Sequence, residues 1–78
     1  MKKGVLCKNQ KQYDKVIKCF KNRGYKICDI KKIGPLGVVV FIENGFIGTD
    51  SLYFKGYLLR IKNYYDIISS FFINEIEV

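Results

Sequence analysis

The chain contains no histidine and no tryptophan, a single proline, and only two arginines, Arg23 and Arg60, among its 14 basic residues. Without histidine, no Ser–His or Cys–His nucleophile pair can form within the chain. The three cysteines, Cys7, Cys19 and Cys28, are odd in number and show no Cys-x-x-Cys spacing. A structural zinc site, which draws on paired Cys and His ligands, is therefore not expected. The cysteines read as small, half-buried apolar residues. A Cys19–Cys28 disulfide would suit a secreted protein, and nothing else in the chain points to secretion.

Long apolar runs are also missing. The longest is Val38–Ile42, far short of the ~18 residues that span a bilayer. The basic start Met1–Gly4 is not followed by the apolar stretch of a signal peptide. The expectation is a cytoplasmic protein with no membrane partner. Acid–base chemistry has little to draw on, because the seven carboxylates are dispersed and only Glu75 and Glu77 are close in sequence. Gly34–Gly37 and Gly45–Gly48 lack the Gly-Lys-Ser/Thr ending of a phosphate loop and read as turns. No catalytic, cofactor or metal-ligating residues are assigned, and the chain is read as a non-enzymatic binding protein.

What is present is charge and aromatic content. Net charge is +7 over 78 residues. Residues 1–32 carry eleven Lys/Arg against Asp14 and Asp29, a balance of +9, and residues 33–78 balance at −2. Such a field attracts polyanions or an acidic protein patch. Hydrophobic residues make up 49% of the chain, with six Phe and six Tyr, enough for one compact domain covering residues 1–78.

Periodicity supplies the elements. Gly4–Lys8 reads as a strand. Asn9 is an N-cap for a helix over 10–23, in which Tyr13, Val16, Ile17 and Phe20 form one apolar stripe. Gly24 is placed to close it, with Tyr25 packing back on Phe20. Tyr25–Ile33 reads as a strand with a bulge near Asp29, Gly34–Gly37 as a turn, and Val38–Ile42 as a central strand buried on both faces. Asn44-Gly45 predicts a type I′ hairpin to a strand over Phe46–Thr49. Residues 50–56 read as a helical turn or loop, and Tyr57–Ile61 as a further strand. Asn63 then caps a second helix over about 64–72, with Tyr64, Ile67, Ile68, Phe71 and Phe72 as its stripe and Asp66 in a capping-box position. The tail 74–78 reads as an edge strand or frayed end. The expected fold is α+β: a two-layer sandwich of order β-α-β-β-β-β-α, its small, mainly antiparallel sheet covered on one face by two helices.

The candidate binding face is cationic. Lys11, Lys15, Lys18, Lys21 and Arg23 come from the first helix, and Lys26, Lys31 and Lys32 from the strand after it. With lysines predominating and Arg23 its one arginine, the face favours phosphate-backbone or acidic-surface contacts over base reading. Tyr53, Phe54 and Tyr65 are the candidate exposed aromatics, able to anchor a protein interface or stack on bases.

Taken together, Asn9–Tyr13, Phe20–Tyr25, Phe41–Ile47 and Leu59–Phe72 resemble small accessory proteins of phages and prophages of low-GC bacteria. Those have a helix ending in Gly-Tyr, a strand, an Asn/Asp-Gly hairpin, a strand and a short helix. The resemblance implies inhibitors of host defence or host enzymes and carries over no functional residues. Three readings follow: an inhibitor or adaptor acting through the basic face on a host protein, a non-sequence-specific nucleic-acid-binding module, or a binder of an anionic nucleotide-like molecule. The partner is accordingly an acidic protein surface, a nucleic-acid backbone or a small anion, and the oligomeric state is not legible.

Overall fold

The computed structural model describes residues 2–27 and 33–75. The first strand, β1 (Lys2–Cys7), leads into helix α1 (Gln10–Asn22) through a reciprocal cap. The Asn9 side chain accepts from the Gln12 N–H at 2.9 Å, and Gln12 Oε1 accepts from the Lys8 N–H at 2.8 Å. The first bond satisfies one of the amide groups that every helix start leaves without an intrahelical partner, and the second ties the residue before the cap to the first turn. Tyr13, Val16, Ile17 and Phe20 are buried, as their spacing requires. The helix ends with the Tyr25 N–H on the Phe20 carbonyl (3.2 Å) and the Gly24 N–H on the Lys21 carbonyl (3.0 Å), the bond pair of a Schellman ending. Gly24 has φ +93°, and the Phe20 and Tyr25 rings meet edge to face at 6.3 Å.

Strand β2 (Lys26–Ile27) follows. The rest of the strand expected over Tyr25–Ile33 falls largely outside the described residues. Strands β3 (Val38–Glu43) and β4 (Phe46–Ser51) form the predicted hairpin, with Asn44 at φ 52° and Gly45 at φ 82°. Both signs are those a type I′ turn demands. The five-stranded sheet runs β2-β4-β3-β1-β5, which puts β3 at its centre. It is mixed rather than mainly antiparallel: β1/β3 and β3/β4 are antiparallel, β1/β5 and β2/β4 parallel. The turn before β3 is closed by the Gly37 N–H on the Gly34 carbonyl at 3.0 Å. Gly37 has φ +110°, and a Cβ there would press into the Cys7 carbonyl.

The last third departs from expectation. Where a strand over 57–61 and a helix over 64–72 were predicted, the structure has helix α2 (Lys55–Ile61), strand β5 (Tyr65–Ser69) and a closing 3₁₀ segment (Ser70–Glu75). Tyr57, Leu58 and Ile61 turn inward while Leu59 and Arg60 face water, a helical pattern that a strand would have inverted for Leu59. In β5 the neighbours Ile67 and Ile68 pack into different clusters on opposite faces of the sheet. An Ile-Ile pair buried on both faces satisfies helical spacing equally well over so short a run. The parallel pairing of Tyr65–Ser69 with Lys2–Leu6 decides for the strand. Asn63 sits in the intervening turn, its N–H on the Arg60 carbonyl.

The α+β class stands, but the helices lie on opposite faces of the sheet, not together on one. Val5, Cys7, Val38, Val40 and Ile47 pack with the α1 stripe and Ile73. Leu6, Val39, Leu52 and Ile67 pack with Tyr57, Leu58 and Ile61 of α2. The two crossovers run in opposite directions along the sheet: β1-α1-β2 toward one edge, β4-α2-β5 toward the other. Parallel crossovers keep one hand, so opposite directions require opposite faces.

Two substitutions separate these assignments. Phe20→Ala should cost about 3–5 kcal/mol in urea unfolding, as truncation of a fully buried aromatic does. Leu59→Ala should stay within about 0.5 kcal/mol, as for a surface position. A core-sized loss at Leu59 would restore the strand reading of 57–61.

Candidate binding surfaces

Burial of Tyr13, Val16, Ile17 and Phe20 turns the opposite face of α1 outward, because residues three and four apart share a face. Lys11, Lys15, Lys18 and Lys21 are all exposed there, Lys26 is exposed on β2, and Arg23 is half-buried at the C-cap. Lys31 and Lys32 lie outside the described residues. The single carboxylate of α1, Asp14, accepts from Gln10 Nε2 at 2.8 Å. Beside this face, a groove of about 440 Å³ between α1 and β2 is lined by Tyr13, Ile17, Lys18, Lys21 and Ile27 among others.

The other face of the sheet has a different character. Tyr53 and Phe54 are exposed, at 66% and 58%, as the sequence suggested. Tyr65 is not an open ring: it is half-buried in β5 and stacked on Phe41, with centroids 4.9 Å apart. That difference follows from the strand replacing the predicted helix. Tyr57 donates its hydroxyl to the Asp50 carboxylate, at 2.8 and 3.0 Å to the two oxygens. The hydrogen bond to Asp50 and, after it, burial raise the Tyr57 hydroxyl pKa above its ordinary value.

Sequence reasoning missed Leu36 and Leu59, exposed at 41% and 69%. Leu59 was hidden by the strand assignment. Leu36, in the turn before β3, gave no signal beyond being an apolar residue between two glycines. Leu36 and Phe54 line one apolar cleft of about 390 Å³ with Leu6, Pro35, Leu52 and Leu58, and the charged residues lining it are Lys8 and Lys55. A second cleft, between Asp50, Tyr53, Phe54, Tyr57 and Arg60, adjoins it through Phe54. The structure therefore gathers the α1 lysines on one side of the sheet and the aromatic residues 53, 54 and 57 on the other, where the cations beside the rings are Lys8, Lys55 and Arg60.

Among the described residues, no group of three His, Cys, Asp or Glu side chains is placed to hold a metal ion. No helix among them is long and apolar enough to cross a membrane. Comparison with protein-family models, curated proteins and solved structures finds no match to this chain.

Cys7 and Cys19 are free thiols, the first buried and the second half-buried, and Cys28 lies outside the described residues. Burial pushes the Cys7 thiol from its ordinary 9.0 up to about 12. A raised pKa favours the protonated folded form, so this contribution to stability is complete below about 9 and is lost as pH rises toward about 12. Residue-resolved alkylation of the native protein at pH 8 should modify Cys19 and leave Cys7 intact until denaturant is added. Reaction of Cys7 at the rate of Cys19 would contradict its burial.

Proposed function

We propose that this protein is a non-catalytic inhibitor or adaptor of phage or mobile-element type, which engages an acidic surface of a host protein through the lysine face of α1. Host defence or a host enzyme is the class of target that the sequence resemblance implies, and nucleic-acid-handling machinery is the class that a cationic face adds. The observation that carries the reading is the arrangement of α1: Lys11, Lys15, Lys18 and Lys21 are exposed along one helix whose only carboxylate is already hydrogen-bonded. A cationic face of that kind steers association with an acidic partner.

Segregation of the side chains favours a protein over single-stranded nucleic acid. Single-strand binders combine a cationic groove with rings on which bases stack. Here Tyr53 and Phe54 stand on the α2 side of the sheet and the α1 lysines on the other. Lysines in place of arginine forks disfavour base-edge reading, while a phosphate backbone and an acidic protein surface suit them equally.

The test is a triple variant, Lys11→Glu, Lys15→Glu and Lys18→Glu. It should unfold within about 0.5 kcal/mol per site of the parent, as surface changes do, and lose capture of an acidic host protein that the parent retains. Mobility shifts with mixed-sequence DNA and RNA should show no complex at about 200 mM salt. Binding at about 50 mM that falls by roughly 10³–10⁵ at 200 mM would instead identify a phosphate-tracking module. Partner capture unchanged in the triple variant would exclude the basic face.

A further inference from the structure

The cleft beside α2 lies on the opposite face of the sheet from the lysines of α1, and its construction is unlike theirs. Its walls are Leu6, Pro35, Leu36, Leu52, Phe54 and Leu58. At about 390 Å³ it has the volume of a ligand pocket, in the range of roughly 300–1,000 Å³. It also sits where the chain breaks a local rule. Phe54 holds the N-cap position of α2 with extended backbone (φ −151°) and offers no side-chain acceptor to the helix. Asp, Asn, Ser or Thr there would be worth about 1 kcal/mol. Local inconsistency of this kind concentrates at functional positions. Phe54 is 58% exposed, and its ring lies beside Tyr57 with centroids 5.6 Å apart.

Charge selects the occupant. The charged side chains lining the cleft, Lys8 and Lys55, are both exposed cations. The carboxylate in the adjoining cleft, Asp50, is engaged by the Tyr57 hydroxyl and shares that cleft with Arg60. Apolar walls with a cationic rim match an apolar side chain set among carboxylates. Tyr53 and Tyr57 line the adjoining cleft, which shares Phe54 with this one, and carry the ring surface beyond it. A compact amphiphile filling the cleft would leave them bare, whereas a peptide crossing it would cover them. Anchors of this type, a large apolar side chain in a desolvated pocket with charges at the rim, carry most of the energy of protein interfaces.

We propose that this cleft docks an acidic peptide segment of a partner protein, which inserts one apolar side chain between Leu36 and Phe54 and sets its carboxylates on Lys8 and Lys55. The site does not depend on the α1 lysines, so it can stand or fall separately from the proposed function.

A displayed library of random twelve-residue peptides, panned on the intact protein, tests it. Enriched sequences should carry Leu, Ile, Phe or Trp flanked by Asp or Glu. A synthetic copy of the most enriched one should bind Phe54→Asp at least about tenfold more weakly than the parent, as loss of an interface anchor implies. Phe54 is exposed, so that variant should fold, which its unfolding curve will show. The Lys8→Glu, Lys55→Glu double variant should reverse the preference and enrich Lys and Arg around the same apolar anchor, a readout that misfolding cannot mimic. The α1 triple variant should bind the peptide as the parent does, and amide shifts on binding should fall at residues 36 and 52–59 rather than 11–21. The proposal is overturned by absence of enrichment, by enrichment without acidic bias, or by equal binding to the charge-reversed variant. A dimer of the parent that Phe54→Asp dissolves would also overturn it, since a second copy would then cover the cleft.

Discussion

Burial of the central strand on both faces is the constraint from which the rest of this structure follows. Val38 and Val40 point to one side of β3 and Val39 to the other, and all three are fully enclosed. A strand apolar on both faces needs cover on both, and the chain has two helices to supply it. They are unequal. The thirteen residues of α1 cover one face with the help of the closing 3₁₀ segment, while α2 has seven residues and covers only part of the other. Elsewhere on that face the sheet is shielded by aromatic rings, with Phe41 lying against Gly48 and stacked on Tyr65. The incomplete cover leaves the apolar cleft and the exposed side chains around it.

The two surfaces therefore have separate physical origins. The lysine face of α1 is the solvent side of an amphipathic helix, and its charge density comes from composition. The α2 cleft arises from a shortage of helix over an apolar sheet face. The sheet keeps them apart, so each can be altered without touching the other. On the proposed reading as an adaptor or inhibitor, the two surfaces would raise affinity by acting together on one partner.

Legibility in the sequence followed the range of the interactions involved. Asn9, Gly24 and Tyr25 were readable because each acts within a few residues of the α1 ends. Asn44-Gly45 was readable because a two-residue turn needs positive φ at both positions, and that pair tolerates it. The lysine face followed from the same periodicity that located the buried stripe. The segment 55–69 was misread because its apolar spacing fits a helix or a doubly buried strand equally well. The deciding partner for 65–69, β1, comes from the other end of the chain. Tyr64 and Phe71, read on the apolar stripe, are exposed, and Tyr65, read as open, is half-buried.

By itself, the sequence determined the α1 helix with both caps, the β3–β4 hairpin, the central position of Val38–Ile42, and the concentration of positive charge in the first 32 residues. Each depends on local backbone preference or on composition. Tertiary structure alone decided the parallel pairing of β5 with β1, the helical state of 55–61, and the placing of the two helices on opposite faces. The physical reason is that a short apolar segment gains little from its own propensity. Its state is set by which neighbour buries it, and the single hand of parallel crossovers then fixes the face on which each connecting helix must lie.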